Sequence, residues 1–134
     1  MRGLPLIVLL AVIAPSIAAA ADVVRIELNT TESVQNRCRS TFVIENKSER
    51  QIESLKLDLV VFGTDNTMQR RMVVELGPVR RSKTIVRTYE IERDCAQIGA
   101  ILVNDVAACA PGDPGTCLDE LALSSRSADI KLYK

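Results

Sequence analysis

The sequence predicts an all-β domain: two stacked sheets of about seven short strands, held by two disulfides and preceded by an export leader. Three observations carry this expectation. Apolar residues recur at period two in short runs rich in Val, Ile and Leu, turn residues separate those runs, and all four cysteines lie beyond the leader. No long amphipathic helical stretch and no 20-to-50-residue repeat breaks the pattern. At 134 residues the chain is about one domain long.

Residues 1–21 read as a cleaved secretory leader. Arg2 supplies the positive start, an apolar stretch broken by Pro5 runs from Leu4 to Ala14, and Pro15-Ser16 interrupts it. Ala18-Ala19-Ala20-Ala21 then offers small-residue cleavage sites. The stretch is short for a span of ~20 residues and is interrupted by proline. A single Arg precedes it and no Cys follows it directly, so neither a twin-arginine signal nor a lipid-modified N-terminal cysteine is expected. Cleavage leaves residues 22–134 as the domain, without stable membrane insertion. The short start and the Ala-rich site have a bacterial character and point to the periplasm.

The strands follow in order. Residues 23–28 place Val24, Ile26 and Leu28 on one side. Residues 38–45 set Ser40, Phe42 and Ile44 against Thr41, Val43 and Glu45, and a polar turn follows over 46–50. Residues 52–62 form the longest run, with Leu55, Leu57, Leu59 and Val61 on one face. After the turn 63–66, residues 68–76 alternate Met72 and Val74 with Val73 and Glu75, and Gly77-Pro78 ends the run. Residues 84–91 oppose Ile85, Arg87, Tyr89 and Ile91 to Thr84, Val86, Thr88 and Glu90. Asp94 with Gln97 reads as a capping box for one helical turn over 94–99. Residues 100–106 are nearly continuously apolar, residues 110–116 read as an irregular Pro/Gly loop, and 129–133 supply a final strand. This count and spacing suit an immunoglobulin-like β-sandwich. A domain of this size buries about two-thirds of its unfolded surface, enough to fold alone.

Strand direction restricts the cysteine pairing. In an oxidising compartment Cys38, Cys95, Cys109 and Cys117 are expected as two disulfides. No C-x-x-C motif is present, and the spacings of 57, 14 and 8 lack the paired knuckles of a zinc site. If consecutive strands alternate in direction, Cys38 opens its strand at the end where Cys95 lies. Cys109 and Cys117 share one connection at the opposite end. Partners must approach within ~7 Å between Cα atoms, so Cys38–Cys95 and Cys109–Cys117 is the expected pairing.

A resemblance adds to this reading. Asn46-x-Ser48, then Ile52-x-x-Leu55-x-Leu57-x-Leu59-x-Val61-Phe62, Leu76-Gly77-Pro78 and Thr84-x-Val86-x-x-Tyr89 resemble the FxLYD-type immunoglobulin-like modules of bacterial envelope proteins. The cysteines with Ile101-Leu102-Val103-Asn104-Asp105 and Ser124-Ser125-Arg126 are similar to small periplasmic proteins of Gram-negative bacteria without assigned activity. The resemblance implies a fold and a location, and it assigns no catalytic residue.

Composition narrows the function. With no histidine there is no Ser-His-Asp or Cys-His pair, no imidazole metal ligand and no histidine pH switch. Ser124, Ser125 and Ser127 therefore have no base to activate them. Lys+Arg 17 against Asp+Glu 17, with aromatics at 3%, argues against nucleic acid as a partner. Asp113, Asp119 and Glu120 lack Ca²⁺-loop spacing. Asn104 and Asp105, at the end of the apolar run, are expected to satisfy turn backbone or to line a pocket. Asn29-Thr30-Thr31 and Asn46-Lys47-Ser48 match the glycosylation pattern, which carries no weight in a bacterium.

The principal candidate is a basic set around Gly77-Pro78: Arg70, Arg71, Arg80, Arg81, Lys83 and Arg87. A hairpin of residues 68–76 with 84–91 would bring them together as an anion-binding or partner-binding surface. The competing reading is edge-strand protection, with Glu75, Glu90 and Glu92 neutralising the charge. The function expected is a non-enzymatic exported binding or envelope-assembly module, without cofactor or metal, whose partner is another cell-envelope protein. The alternative is a periplasmic small-ligand or anion-binding protein.

Overall fold

Among the described residues eight strands form, in two four-stranded sheets: β1 (Val24–Val34), β2 (Arg37–Asn46), β3 (Ser54–Gly63), β4 (Met68–Glu75), β5 (Thr84–Ile91), β6 (Ile98–Ala110), β7 (Leu121–Ser125) and β8 (Lys131–Tyr133). One sheet has the order β5-β2-β1-β7 and the other β4-β3-β6-β8. A 3₁₀ turn, Cys95–Gln97, precedes β6, and one short helix, α1 (Pro114–Asp119), follows it. The computed structural model describes residues 1, 3–4, 10–16 and 23–134. The expected cleavage site at 18–21 and much of the leader lie outside the described residues. Among those described, residues 1, 3–4 and 10–16 carry no regular element, and Leu4, Leu10, Val12 and Ile13 are exposed.

The inward faces follow the period-two pattern. Ile26 and Leu28 of β1 and Phe42 and Ile44 of β2 meet Leu57, Leu59 and Val61 of β3, Val74 of β4 and Val103 of β6 in one buried cluster. A gap between the sheets beside Ile26, Phe42, Leu57 and Val103 has a volume of about 10 Å³, room for about one water. All four cysteines are consumed as Cys38–Cys95 and Cys109–Cys117, the pairing expected from strand direction. Such cystines belong to an oxidising, extracytoplasmic compartment. Among the described residues, no helix is long and apolar enough to cross a membrane.

Several expectations need correction. β1 continues past Leu28 to Val34 and pairs with β2 through a two-residue turn, Gln35-Asn36, both at positive φ (50° and 62°). That geometry is the favoured hairpin turn, and polar strand residues 29–33 concealed it. Residues 121–125 form an additional strand, parallel to β1, and β8 then runs parallel to β6. The loop expected over 110–116 gives way at Pro114 to α1, where the Asp113 carboxylate accepts from the Thr116 amide. β6 continues to Ala110, so Asn104 and Asp105 lie within the strand, at a register shift against β3. At Gly99, where β6 crosses close to β3, a Cβ would lie 2.8 Å from the Gly63 carbonyl oxygen, which only glycine tolerates.

The largest correction concerns residues 68–91. β4 and β5 do not form a hairpin; they are edge strands of different sheets. The connection between them carries Leu76 and Val79, both buried. Val79 makes an isolated bridge with Ile52, and the Leu76 amide donates to the Leu55 carbonyl. Burying these two side chains draws the connection across one end of the core and moves the chain from one sheet to the other.

Candidate functional site

Asn46 organises the end of the molecule at which that connection lies. It continues the inward-facing series of Phe42 and Ile44 on β2 and is fully buried. A buried amide must be hydrogen-bonded on both sides. Its Nδ2 donates to the carbonyls of Arg50, Val79 and Arg80 at 2.8, 3.2 and 3.2 Å. Its Oδ1 accepts from the Ser48 amide at 3.0 Å and the Ser48 hydroxyl at 2.7 Å. The Asn46 amide donates to the Lys83 carbonyl, and the Ser82 amide to the Ser48 carbonyl. Two loops, β2–β3 and β4–β5, are thereby stitched into one surface.

That surface is basic. Lys47, Arg50, Arg80, Arg81 and Lys83 are all exposed, and none forms an ion pair among the described residues. Across the two loops the acids are Glu49 and Glu53, both on the β2–β3 loop, and residues 76–83 carry none. The other half of this end is acidic: Asp113, Asp119 and Glu120 belong to the β6–β7 connection. Between the halves lies a shallow cleft of about 30 Å³, floored by Val24, Ile52, Leu55 and Pro111. The chain enters the domain here, for the Lys47 amide donates to the Val23 carbonyl at 2.8 Å.

The six basic residues singled out in the sequence therefore separate. Arg80, Arg81 and Lys83 come together as part of this surface. Arg70 is ion-paired with Glu92 at the far end. Arg71 holds Asp58 in a two-point contact at 2.9 and 2.7 Å. Arg87 follows the inward alternation of the edge strand β5, beside Tyr89, whose hydroxyl donates to the Glu75 carbonyl. Sequence reasoning missed Lys47 and Arg50. The available signal was Asn46 itself, a polar residue at an inward position that needed the neighbouring loops as partners.

The remaining candidates serve local structure. Asn104 donates to Asp58 at 2.9 Å, and Asp105 accepts from the Val106 amide. The Arg71 guanidinium, with the Asn104 amide, holds the Asp58 carboxyl below the ordinary carboxylate range, and Asp58 raises Arg71 in return. Arg37 and Arg39 hold Glu90 down in the same way, the Thr67 amide lowers Asp65, and burial pushes the Tyr89 phenol up. Ser125 donates to the Ile130 carbonyl, and Ser127 accepts from the Ile130 amide. Among the described residues, no group of three or more Cys, Asp or Glu side chains could hold a metal ion. At the far end, Thr31, Thr64, Ser127, Asp129 and Ile130 line an open groove of about 510 Å³.

Comparison with known protein families, with curated proteins and with solved structures returns no match to this chain.

Proposed function

We propose that the chain is a non-enzymatic binding module of the bacterial envelope, exported to the periplasm through a leader at residues 1–21. In this reading the domain is an immunoglobulin-like β-sandwich resembling the FxLYD-type modules. The order β5-β2-β1 facing β4-β3-β6 favours that likeness. The parallel placement of β7 and β8 departs from it.

The observation that carries the proposal is the set of five exposed, unpaired cations on two loops locked together by Asn46. Solvated charge of one sign, fixed on a rigid base, attracts and orients an acidic partner. The partner proposed is another component of the envelope, bound without cofactor. Crosslinking in intact cells tests this. The wild-type chain should yield a discrete crosslinked species, and the Lys47→Glu, Arg50→Glu, Arg81→Glu variant should lose it. Retention of the same species by that variant removes the basic surface from recognition.

The open groove at the far end favours a second reading, small-ligand binding, through Thr31, Thr64, Ser127 and Asp129. Protection of that groove from hydrogen exchange by a periplasmic small-molecule extract would support it. Unchanged exchange there would discard it.

A further inference from the structure

We infer that the basic surface made by Lys47, Arg50, Arg80, Arg81 and Lys83 docks on the phosphate headgroups of an anionic membrane. This rests on the binding-module reading and names what that surface touches. Three features of the molecule select an extended lipid surface over a small anion.

The first is shape. The five cations project from two exposed loops, and the cleft beside them has room for one or two waters. An anion held by a protein normally sits in a concavity of converging donors. Separate, exposed cations on a rigid base suit many phosphates spread over a plane.

The second is the position of the chain entry. Val23 joins the domain beside Lys47 through a backbone hydrogen bond. The apolar segment Leu4–Ala14 lies upstream, and the nine residues from Ala14 to Val23 reach at most about 30 Å. While that segment occupies the membrane during export, the basic loops are the part of the domain held closest to the headgroups.

The third is the character of the surface. In residues 23–134 the exposed large apolar side chains are Met68, Val73, Val86 and Tyr133, none of them on these loops. Attachment is therefore electrostatic and peripheral, at the headgroup level. The acidic β6–β7 connection across the cleft tilts contact toward the β2–β3 and β4–β5 loops.

Each basic residue near an anionic surface strengthens attachment roughly fivefold at moderate salt, and the attraction falls within a Debye length. The test uses the oxidised protein as purified from the envelope of a producing cell, with vesicles of 30% phosphatidylglycerol and 70% phosphatidylcholine. Vesicle affinity at 50 mM salt should exceed that for pure phosphatidylcholine by at least about 100-fold, and 500 mM salt should abolish the excess. The pairs Lys47→Gln/Arg50→Gln and Arg80→Gln/Arg81→Gln should each weaken it about 25-fold, while Arg39→Gln at the far end leaves it unchanged. Circular dichroism confirms that each variant is folded.

Displacement by 5 mM inorganic phosphate at constant ionic strength would overturn the inference in favour of a discrete anion site. Binding to polyglutamate with the same variant dependence, but not to the vesicles, would also overturn it and leave the binding-module reading standing with a protein partner. If neither probe binds and no species crosslinks in cells, both readings fall.

Discussion

The two ends of the stacked sheets are rich in charge and handle it differently. At the end where β2 begins, charges are interleaved. Arg37 and Arg39 share Glu90, Arg39 approaches Glu32, and Arg70 meets Glu92. The connections there also carry Arg93 and Arg126, with Asp65, Asp94 and Asp129 against them. At the other end charge is more sorted: the β4–β5 loop carries Arg80, Arg81 and Lys83 and no acid, the β2–β3 loop sets Lys47 and Arg50 beside Glu49 and Glu53, and the β6–β7 connection is acidic. The fastenings differ as well. A cystine from β2 to the 3₁₀ turn ties the first end. The second is tied by one buried amide, which joins the β2–β3 and β4–β5 loops, and by the short Cys109–Cys117 cystine from β6 to α1. Interleaved charge is spent within the molecule, whereas sorted charge remains available to a second body.

The most damaging way to break the comparison is to cut the fastening at the interleaved end. Replacing Cys38 and Cys95 by serine opens a bridge of sequence separation 57 and should cost about 4 kcal/mol. Opening Cys109–Cys117, of separation 8, should cost about 2.5 kcal/mol by the same argument. Denaturant unfolding of the two variants gives both values, and equal losses would contradict the assignment.

Asn46→Ala should fall between the two, at about 3 kcal/mol, because it leaves the Arg80 carbonyl without a donor and takes one donor each from Arg50 and Val79. Hydrogen exchange should rise in residues 46–50 and 79–83 and stay unchanged around Cys95. A uniform rise over the whole domain would mean that Asn46 does not act locally.

Acid sharpens the contrast. Glu90 and Asp58 bind protons less readily when folded than when unfolded, through Arg37 and Arg39 in one case and Arg71 in the other. Their contribution is therefore complete above the unfolded value near pH 4 and disappears as pH falls through the folded values. Melting temperature should drop between pH 5 and pH 3, and Glu90→Gln should flatten part of that slope. An identical slope in Glu90→Gln would show that the interleaved charges contribute nothing to the fold.

The smallest stability effect belongs to the sorted end. Arg80→Glu with Arg81→Glu should alter stability by no more than about 0.5 kcal/mol, since both side chains are exposed and unpaired. A loss above about 1 kcal/mol would mean that these cations hold the loops together.

Much of the architecture was legible because period two and turn chemistry are local signals. The β2, β4 and β5 cores, the 3₁₀ turn and both cystines follow from them. The β1 extension was not, because residues 29–33 are polar and the ribbon they pair in carries no apolar alternation. Leu121–Ser125 was hidden for another reason: a five-residue strand shows only two apolar repeats, Leu121 and Leu123. The basic set was only half legible. Neighbours in sequence suggested a hairpin, but burial of Leu76 and Val79 sent β4 and β5 to separate sheets. Lys47 and Arg50 then reached Arg80 through Asn46, a contact between loops some 30 residues apart that no local pattern reveals.

Asn46 also constrains the choice of production host. With Ser48 it completes an acceptor triplet, yet its side-chain nitrogen is sealed inside the folded domain behind three carbonyls. A eukaryotic secretory cell attaches sugar to such a triplet while the chain is still emerging. The oligosaccharide would then occupy the position that the Arg50, Val79 and Arg80 backbone needs, and secreted material would be trapped incompletely folded. Yeast or mammalian culture calls for Ser48→Ala, which keeps the Asn46 side chain and the Ser48 backbone bond to it at the cost of the hydroxyl bond; a bacterial host needs no such change.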